Sequence, residues 1–136
     1  MENESITELS GYRFGKATAN INVAKTLCES GEYEVALNRA YYAAFDAMRA
    51  VNALDGFDSS KHSGVIAHFN QEYVKNGVFP ATTSAVIRKA SMLREKSDYE
   101  DFYEADGEET SDVIEKVESF LKDVEAYLKS KKVLES

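Results

Sequence analysis

The sequence has few of the residues that build disulfide-stapled or metal-bound folds. Its 136 residues include one cysteine, one proline, two histidines and no tryptophan. Cys28 cannot form an internal disulfide or a zinc site with other thiols, so we interpret it as an ordinary packed residue. His62 and His68 occur in no HExxH or Cys–His pattern, and we expect no metal site. The single proline leaves room for long helices.

Long apolar runs and phosphate-binding loops are also missing. No apolar run approaches the roughly 20 residues that a membrane-spanning helix needs, so we expect no membrane contact. The first residues, Met1–Ser5, are polar and unlike a signal or transit peptide. With the lone cysteine, this favours a reduced, cytoplasmic protein. No Walker loop or Gly-x-Gly-x-x-Gly motif occurs, and we expect no cofactor.

Positive charge is in deficit. The chain has 24 Asp and Glu against 16 Lys and Arg, a net charge of −8. Clustered lysine and arginine drive non-specific nucleic-acid binding, so this balance disfavours such binding over the whole surface. Any role with RNA must therefore rest on a small basic patch or on a partner. The length corresponds to one domain, which we expect to span residues 1–136.

Helical periodicity is what the sequence does contain. Apolar side chains recur at steps of three and four in five segments, and no segment alternates like a strand. The predicted helices span about 6–30, 32–54, 61–76, 80 to 99 or 102, and 111–132. We therefore predict an all-α fold, an antiparallel up-down bundle of four main helices plus one extra helix.

Caps and turns are predicted from local residue types. Gly11 and Gly15 weaken the early part of the first helix, which should begin later or bend, and Gly31 should end it. Ser59 or Ser60 is the predicted N-cap of the third helix. Asp112 with Glu115 resembles a capping pair for the fifth helix. The acidic segment 98–109 is predicted to be a solvated loop.

Polar residues flank the apolar stripe of the second helix. They are Asn38, Arg39, Tyr42, Asp46 and Arg49, and several lie three or four residues apart, on one face. One interpretation is a solvated face with ion pairs worth tenths of a kcal/mol. The other is a polar groove that lines a partner or a ligand.

Two helix ends also carry candidate residues. Lys61 and His62 open the third helix, where unpaired amides could meet a phosphate; the alternative is capping with a surface histidine. Arg94 and Asp98 lie four apart near the end of the fourth helix and can pair along one face. The simplest interpretation there is a helix-ending salt bridge with Tyr99 packed over the end of the bundle.

Three motifs in register resemble the HEPN superfamily, specifically its small stand-alone branch associated with minimal nucleotidyltransferases. They are Tyr33-x-x-Ala36-x-Asn38-Arg39-Ala40-Tyr41-Tyr42-Ala43-Ala44-Phe45, Lys61-His62-Ser63-Gly64-Val65 and Arg94-x-x-x-Asp98-Tyr99. The resemblance implies a helical bundle that pairs as a homodimer. It also implies an Arg-x(4–6)-His motif that supports metal-independent RNA cleavage, and a nucleotidyltransferase partner that acts as antitoxin.

The sequence departs from that motif after its arginine. Arg94 matches, but the positions where the histidine would stand hold Tyr99, Glu100 and Asp101. A tyrosine, with a pKa near ~10, is a poor acid–base group at neutral pH. The candidate catalytic residues are therefore Arg94, Asp98, Tyr99 and, from another helix, His62. The candidate binding residues are Asn38, Arg39, Tyr42, Asp46 and Lys61.

Three functions follow from these observations. The first is a HEPN binding module in a two-gene toxin–antitoxin system, acting through a nucleotidyltransferase partner, a nucleotide or RNA. The second is an active, metal-independent HEPN ribonuclease toxin. The third is a purely structural helical adaptor, which predicts that Arg94 and His62 lie far apart.

Overall fold

The computed structural model describes residues 3–135, and these residues form helices joined by short connections. The five α-helices are α1 (Asn3–Glu29), α2 (Tyr33–Asn52), α3 (His62–Phe69), α4 (Thr82–Tyr99) and α5 (Gly107–Ser130). A short 3-10 helix, Ala53–Asp55, follows α2, and a π-helical turn, Asn70–Val74, follows α3. Residues 3–135 contain no strand. The predicted all-α antiparallel bundle is confirmed.

α2 is the central helix and contacts all four of the others. Its alanines at 36, 40, 43, 44, 47 and 50 are all buried. Such small side chains let neighbouring helices approach closely. The larger core side chains then fill the space between helices; those that are nearly inaccessible include Leu37, Tyr41, Met48, Phe69, Leu93 and Leu128. Because α2 is enclosed on most sides, its few polar groups are held by neighbouring helices.

The predicted late start of the first helix is wrong. α1 is continuous from Asn3 through Gly11 and Gly15. Ser10 Oγ donates a 2.7 Å hydrogen bond to the carbonyl of Ala50, and Arg13 is buried nearby. These tertiary contacts outweigh the low helix propensity of glycine. Gly31, with φ 79°, follows the helix as predicted.

The third helix is shorter and less regular than predicted. Its N-cap residue is Lys61, which makes no side-chain capping bond, so the prediction of Ser59 or Ser60 is wrong. Ser59 Oγ instead accepts from the amide of Lys61, the residue just before the helix, at 3.1 Å. A Cβ at Gly64 would lie 2.5 Å from that oxygen, so a larger residue there would displace the Ser59 hydroxyl.

The fifth helix begins earlier than predicted. Asp106 is its N-cap, and the Asp106 carboxylate accepts from the Glu109 amide at 2.8 Å. The predicted cap, Asp112, pairs with Lys116 instead at 2.9 Å. The connection between α4 and α5 is therefore limited to residues 100–106, shorter than the predicted loop. No helix within residues 3–135 is long and apolar enough to cross a membrane.

Candidate functional site

Arg94 lies on α4 against two tyrosines of α2. Its guanidinium carbon is 4.8 Å from the ring centroid of Tyr41 and 5.5 Å from that of Tyr42. Nη2 donates to the Tyr42 hydroxyl at 3.4 Å, and Nε lies 3.6 Å from Asp98 Oδ2. A cation over aromatic faces is stabilised by the ring quadrupoles. The predicted Arg94–Asp98 pair is present, and the side chain of Arg94 is 11% exposed.

His62, the first residue of α3, contacts the same two tyrosines. Its Nδ1 lies 3.0 Å from the Tyr41 hydroxyl. Its ring centroid is 5.7 Å from that of Tyr42 and 4.3 Å from that of Phe45. Burial lowers the pKa of His62, and the positive charges of Arg94 and Arg49 lower it further. The imidazole is therefore predominantly neutral at pH 7.

A chain of polar contacts extends this site along α2. Asn38 Nδ2 donates to Asp98 Oδ2 at 3.0 Å, and Arg39 Nη2 donates to Asn38 Oδ1 at 2.6 Å. The Arg39 guanidinium lies 5.3 Å from the Tyr42 ring centroid. We call the connected set the Arg94 cluster; its members are Asn38, Arg39, Tyr41, Tyr42, His62, Arg94 and Asp98.

Asp46 is buried against α1 and is linked to Arg39 through Asn20. It is 5% exposed and accepts from Asn20 Nδ2 of α1 at 3.0 Å. Burial raises the pKa of the Asp46 carboxyl, although Lys16 and the Asn20 hydrogen bond oppose this. Asn20 also accepts from Arg39 Nη1 at 3.1 Å. The polar face of α2 therefore contacts two helices, since Asp46 and Arg39 bond to Asn20 of α1 whereas Asn38 and Tyr42 contact Asp98 and Arg94 of α4.

Two other predicted residues lie at the edge of the cluster. Lys61 is exposed and immediately precedes His62. Tyr99 is 74% exposed, so the expectation that it packs over the end of the bundle is wrong. Its ring centroid nevertheless lies 5.9 Å from the Arg94 guanidinium. α4 ends at Tyr99 with its ring turned toward solvent, because the chain leaves the helix there.

Sequence reasoning missed two residues around His62. Tyr41 appeared as one member of an apolar stripe. A buried tyrosine hydroxyl needs a hydrogen-bond partner, so its position in the stripe could have predicted a polar neighbour. Arg49 was noted on the polar face of α2 without any link to His62. Its guanidinium pairs with Asp58 at 3.3 Å, and its charge reaches His62.

The arrangement combines a fixed guanidinium with a neutral imidazole. An arginine fork matches phosphate oxygens, and an imidazole can donate or accept a hydrogen bond beside it. Arg94 and His62 share both tyrosine neighbours, contrary to what a purely structural adaptor predicts. Among residues 3–135, no three His, Cys, Asp or Glu side chains lie close enough to share a metal ion.

The HEPN domain family model matches residues 11–127. The chain belongs to the HEPN family. The match includes every residue of the Arg94 cluster. A UPF0332 protein of Thermotoga maritima is 34% identical over 131 residues, covering 96% of this HEPN chain and 97% of that protein.

Two further relatives come from Methanocaldococcus jannaschii, and each carries the name "Putative toxin". One is 29% identical and aligns with 88% of this HEPN chain and 81% of its own length. The other is 33% identical, with 83% of this chain and 84% of its own length aligned. Both alignments extend well beyond a single motif.

Proposed function

We propose that this HEPN protein is the toxin-type component of a two-gene system with a nucleotidyltransferase partner, and that it binds RNA or nucleotide phosphate at the Arg94 cluster. The observation that carries the proposal is the shared packing of Arg94 and His62 on Tyr41 and Tyr42. The two relatives named as toxins support the system to which we assign it.

Arg94 has an unused N–H group at the exposed edge of its guanidinium. Nη1 makes no hydrogen bond among residues 3–135 and is not one of the buried unpaired atoms there, whereas Nε is buried and lies 3.6 Å from Asp98 Oδ2. A guanidinium can bind a phosphate through two parallel N–H groups. Arg39 and Lys61 add positive charge nearby. A chain with net charge −8 needs a local basic patch of this kind to bind RNA.

The binding test uses a short fluorescent single-stranded RNA in buffer with EDTA, followed by anisotropy. Arg94→Ala should weaken binding about tenfold or more, because a charge-assisted contact is lost. Arg88→Ala is the matched control, since Arg88 is an exposed arginine six residues earlier on α4. It should bind nearly as well as the natural sequence. Equal loss in both variants, or loss in neither, contradicts the assignment.

Metal-independent RNA cleavage is the second candidate function. It is favoured by one observation, the packing of the His62 imidazole and the Arg94 guanidinium on the same two tyrosines. Such a pair could move a proton while the arginine stabilises charge on the phosphate. The same RNA, run on a denaturing gel after incubation in EDTA, should be cut, and Arg94→Ala should abolish cutting. Intact RNA over a range of substrates counts against this candidate.

Homodimer formation and partner binding belong to the same proposal. Toward the end of α4, Met92 is 43% and Tyr99 is 74% exposed, and Phe102 just after the helix is 98% exposed. Exposed large apolar groups beside a site suit a protein interface. Sedimentation should show a dimer, weakened by Met92→Ser.

Co-purification with the product of an adjacent gene tests the nucleotidyltransferase partner. Unchanged partner affinity in an Arg39→Ala, Tyr42→Ala variant contradicts the use of this surface.

A further inference from the structure

Tyr41 is a buried side chain whose hydroxyl has one polar neighbour. The residue is 2% exposed, and its hydroxyl oxygen lies 3.0 Å from His62 Nδ1. Among residues 3–135 this hydroxyl makes no other hydrogen bond, since Arg94 donates to the neighbouring Tyr42 instead. The single contact with His62 therefore has to satisfy the Tyr41 hydroxyl.

Burial decides which of the two groups donates. A tyrosine hydroxyl has one proton to donate and lone pairs that accept. If Tyr41 accepted from an Nδ1–H group, its own proton would be buried without an acceptor, and an unsatisfied buried donor is costly. If it donates to Nδ1, that cost is avoided. Burial raises the pKa of Tyr41 to about 12, so its proton is retained at pH 7.

A donating Tyr41 fixes the tautomer of His62. When Nδ1 accepts, the neutral ring must carry its proton on Nε2. Within residues 3–135, the buried side-chain nitrogens and oxygens without a partner belong to Arg49, Asn52 and Arg94. The unpaired Nε2 of His62 is not one of them, so solvent reaches it. The site therefore presents a free N–H group at its surface.

Arg94 packs on the same two tyrosines as His62, and Arg49 lies on α2 one turn beyond Phe45. A donor N–H accompanied by two guanidinium groups is complementary to an anionic oxygen and unfavourable for a cation. The same two charges discourage His62 from taking up a second proton. The ligand class that fits this combination is a phosphate group.

We propose that Tyr41 is a positioning residue that holds His62 as the Nε2–H tautomer, so that the neutral imidazole donates a hydrogen bond to a phosphate oxygen. The ligand in this inference rests on the proposed function, whereas the tautomer does not. His62 in this form acts as a donor toward phosphate. The inference therefore favours the binding function over RNA cleavage, in which Nε2 would have to accept the proton of a ribose hydroxyl.

The tautomer is tested without any ligand by long-range proton–nitrogen NMR of the ¹⁵N-labelled protein at neutral pH. Nδ1 of His62 should show the nitrogen shift of an unprotonated imidazole nitrogen and Nε2 that of a protonated one. Tyr41→Phe should mix the two forms and draw the shifts together, while His68 serves as the internal control. An Nδ1–H pattern in the natural sequence, or no change in Tyr41→Phe, overturns the proposal.

The donor role is tested with inorganic phosphate as the probe, followed by titration of the Nε2 resonance and by calorimetry. Glutamine places its amide nitrogen near the position of Nε2, and asparagine places its own near Nδ1. His62→Gln should therefore retain most of the affinity, and His62→Asn should lose about tenfold or more. Equal affinities in the two variants overturn the donor role. If His62 is the Nε2–H tautomer but the protein binds neither phosphate nor RNA, the proposed function is overturned and the assignment of the tautomer is retained.

Discussion

The two histidines of α3 occupy contrasting surroundings. His68 Nε2 lies 2.9 Å from Asp55 Oδ2, and its ring stacks on Phe57 at 3.8 Å between centroids. Tyr73 donates to the same carboxylate at 2.9 Å. Among the described residues His62 contacts no carboxylate, and the charges that lower its pKa are the guanidinium groups of Arg94 and Arg49.

This difference separates a side chain that stabilises the fold from one available to a ligand. In the His68 network, the hydrogen bonds of His68 and Tyr73 meet at Asp55, and a satisfied network of this kind fixes the end of α2 against α3. Around His62 the charged groups are two guanidinium groups, and within residues 3–135 the buried Nε atoms of Arg49 and Arg94 have no hydrogen-bond partner. Such unsatisfied groups are rare in folded proteins and are concentrated at functional sites.

The largest stability effect should come from Asp55→Ala. The substitution removes the acceptor shared by His68 and Tyr73, and it should lower the free energy of unfolding by about 2 kcal/mol. Urea denaturation measures the change. RNA affinity should stay the same, since Asp55 has no contact with the Arg94 cluster among the described residues. A loss of RNA binding in a folded Asp55→Ala protein would break the separation between the two histidines.

The same substitution in each network gives a closer comparison. Tyr73→Phe removes a bond to a carboxylate and should cost about 1.5 kcal/mol, whereas Tyr41→Phe removes a bond to a neutral ring and should cost about 0.5–1 kcal/mol. Urea denaturation of both variants in one buffer checks the order. The reverse order would mean that the Tyr41–His62 bond has a mainly structural role.

The smallest effect should appear in the pH dependence of stability. The pKa of His62 is lowered in the folded protein, so as pH falls below the ordinary histidine value of 6.5, the unfolded chain binds a proton before the folded one does. The free energy of unfolding should therefore decrease with falling pH, and the decrease should be weaker in His62→Gln. Urea curves at about pH 7.5 and about pH 5 give the difference. A stronger decrease in the variant contradicts the sign.

Helix existence could be predicted from periodicity, but helix ends and the site could not. Asp106 with Glu109 and Asp112 with Glu115 have the same capping spacing. The choice between them depends on tertiary packing, because Gly107 lies so close to Tyr33 that a Cβ there would be 2.8 Å from its hydroxyl. Periodicity placed Tyr42 and Asp46 on one face without indicating that one meets α4 and the other α1.

The placement of Arg94 and His62 on the same two tyrosines also could not be predicted from local sequence. The two residues are 32 positions apart and on different helices, and both lie against tyrosines of α2. The resemblance singled out both, while the missing histidine after Arg94 left their relation open. The geometry that joins them depends on Tyr41 and Tyr42, whose roles follow from burial and not from spacing.

A double-mutant cycle on RNA affinity tests most directly whether Arg94 and His62 form one site. Anisotropy in EDTA would give the affinity of the natural sequence, of Arg94→Ala, of His62→Ala and of the double variant. Residues that act on one ligand group are coupled by about 0.5–3 kcal/mol. We predict that the double variant loses less affinity than the sum of the single losses. Strictly additive losses, or unchanged affinity in either single variant, would contradict a shared phosphate site.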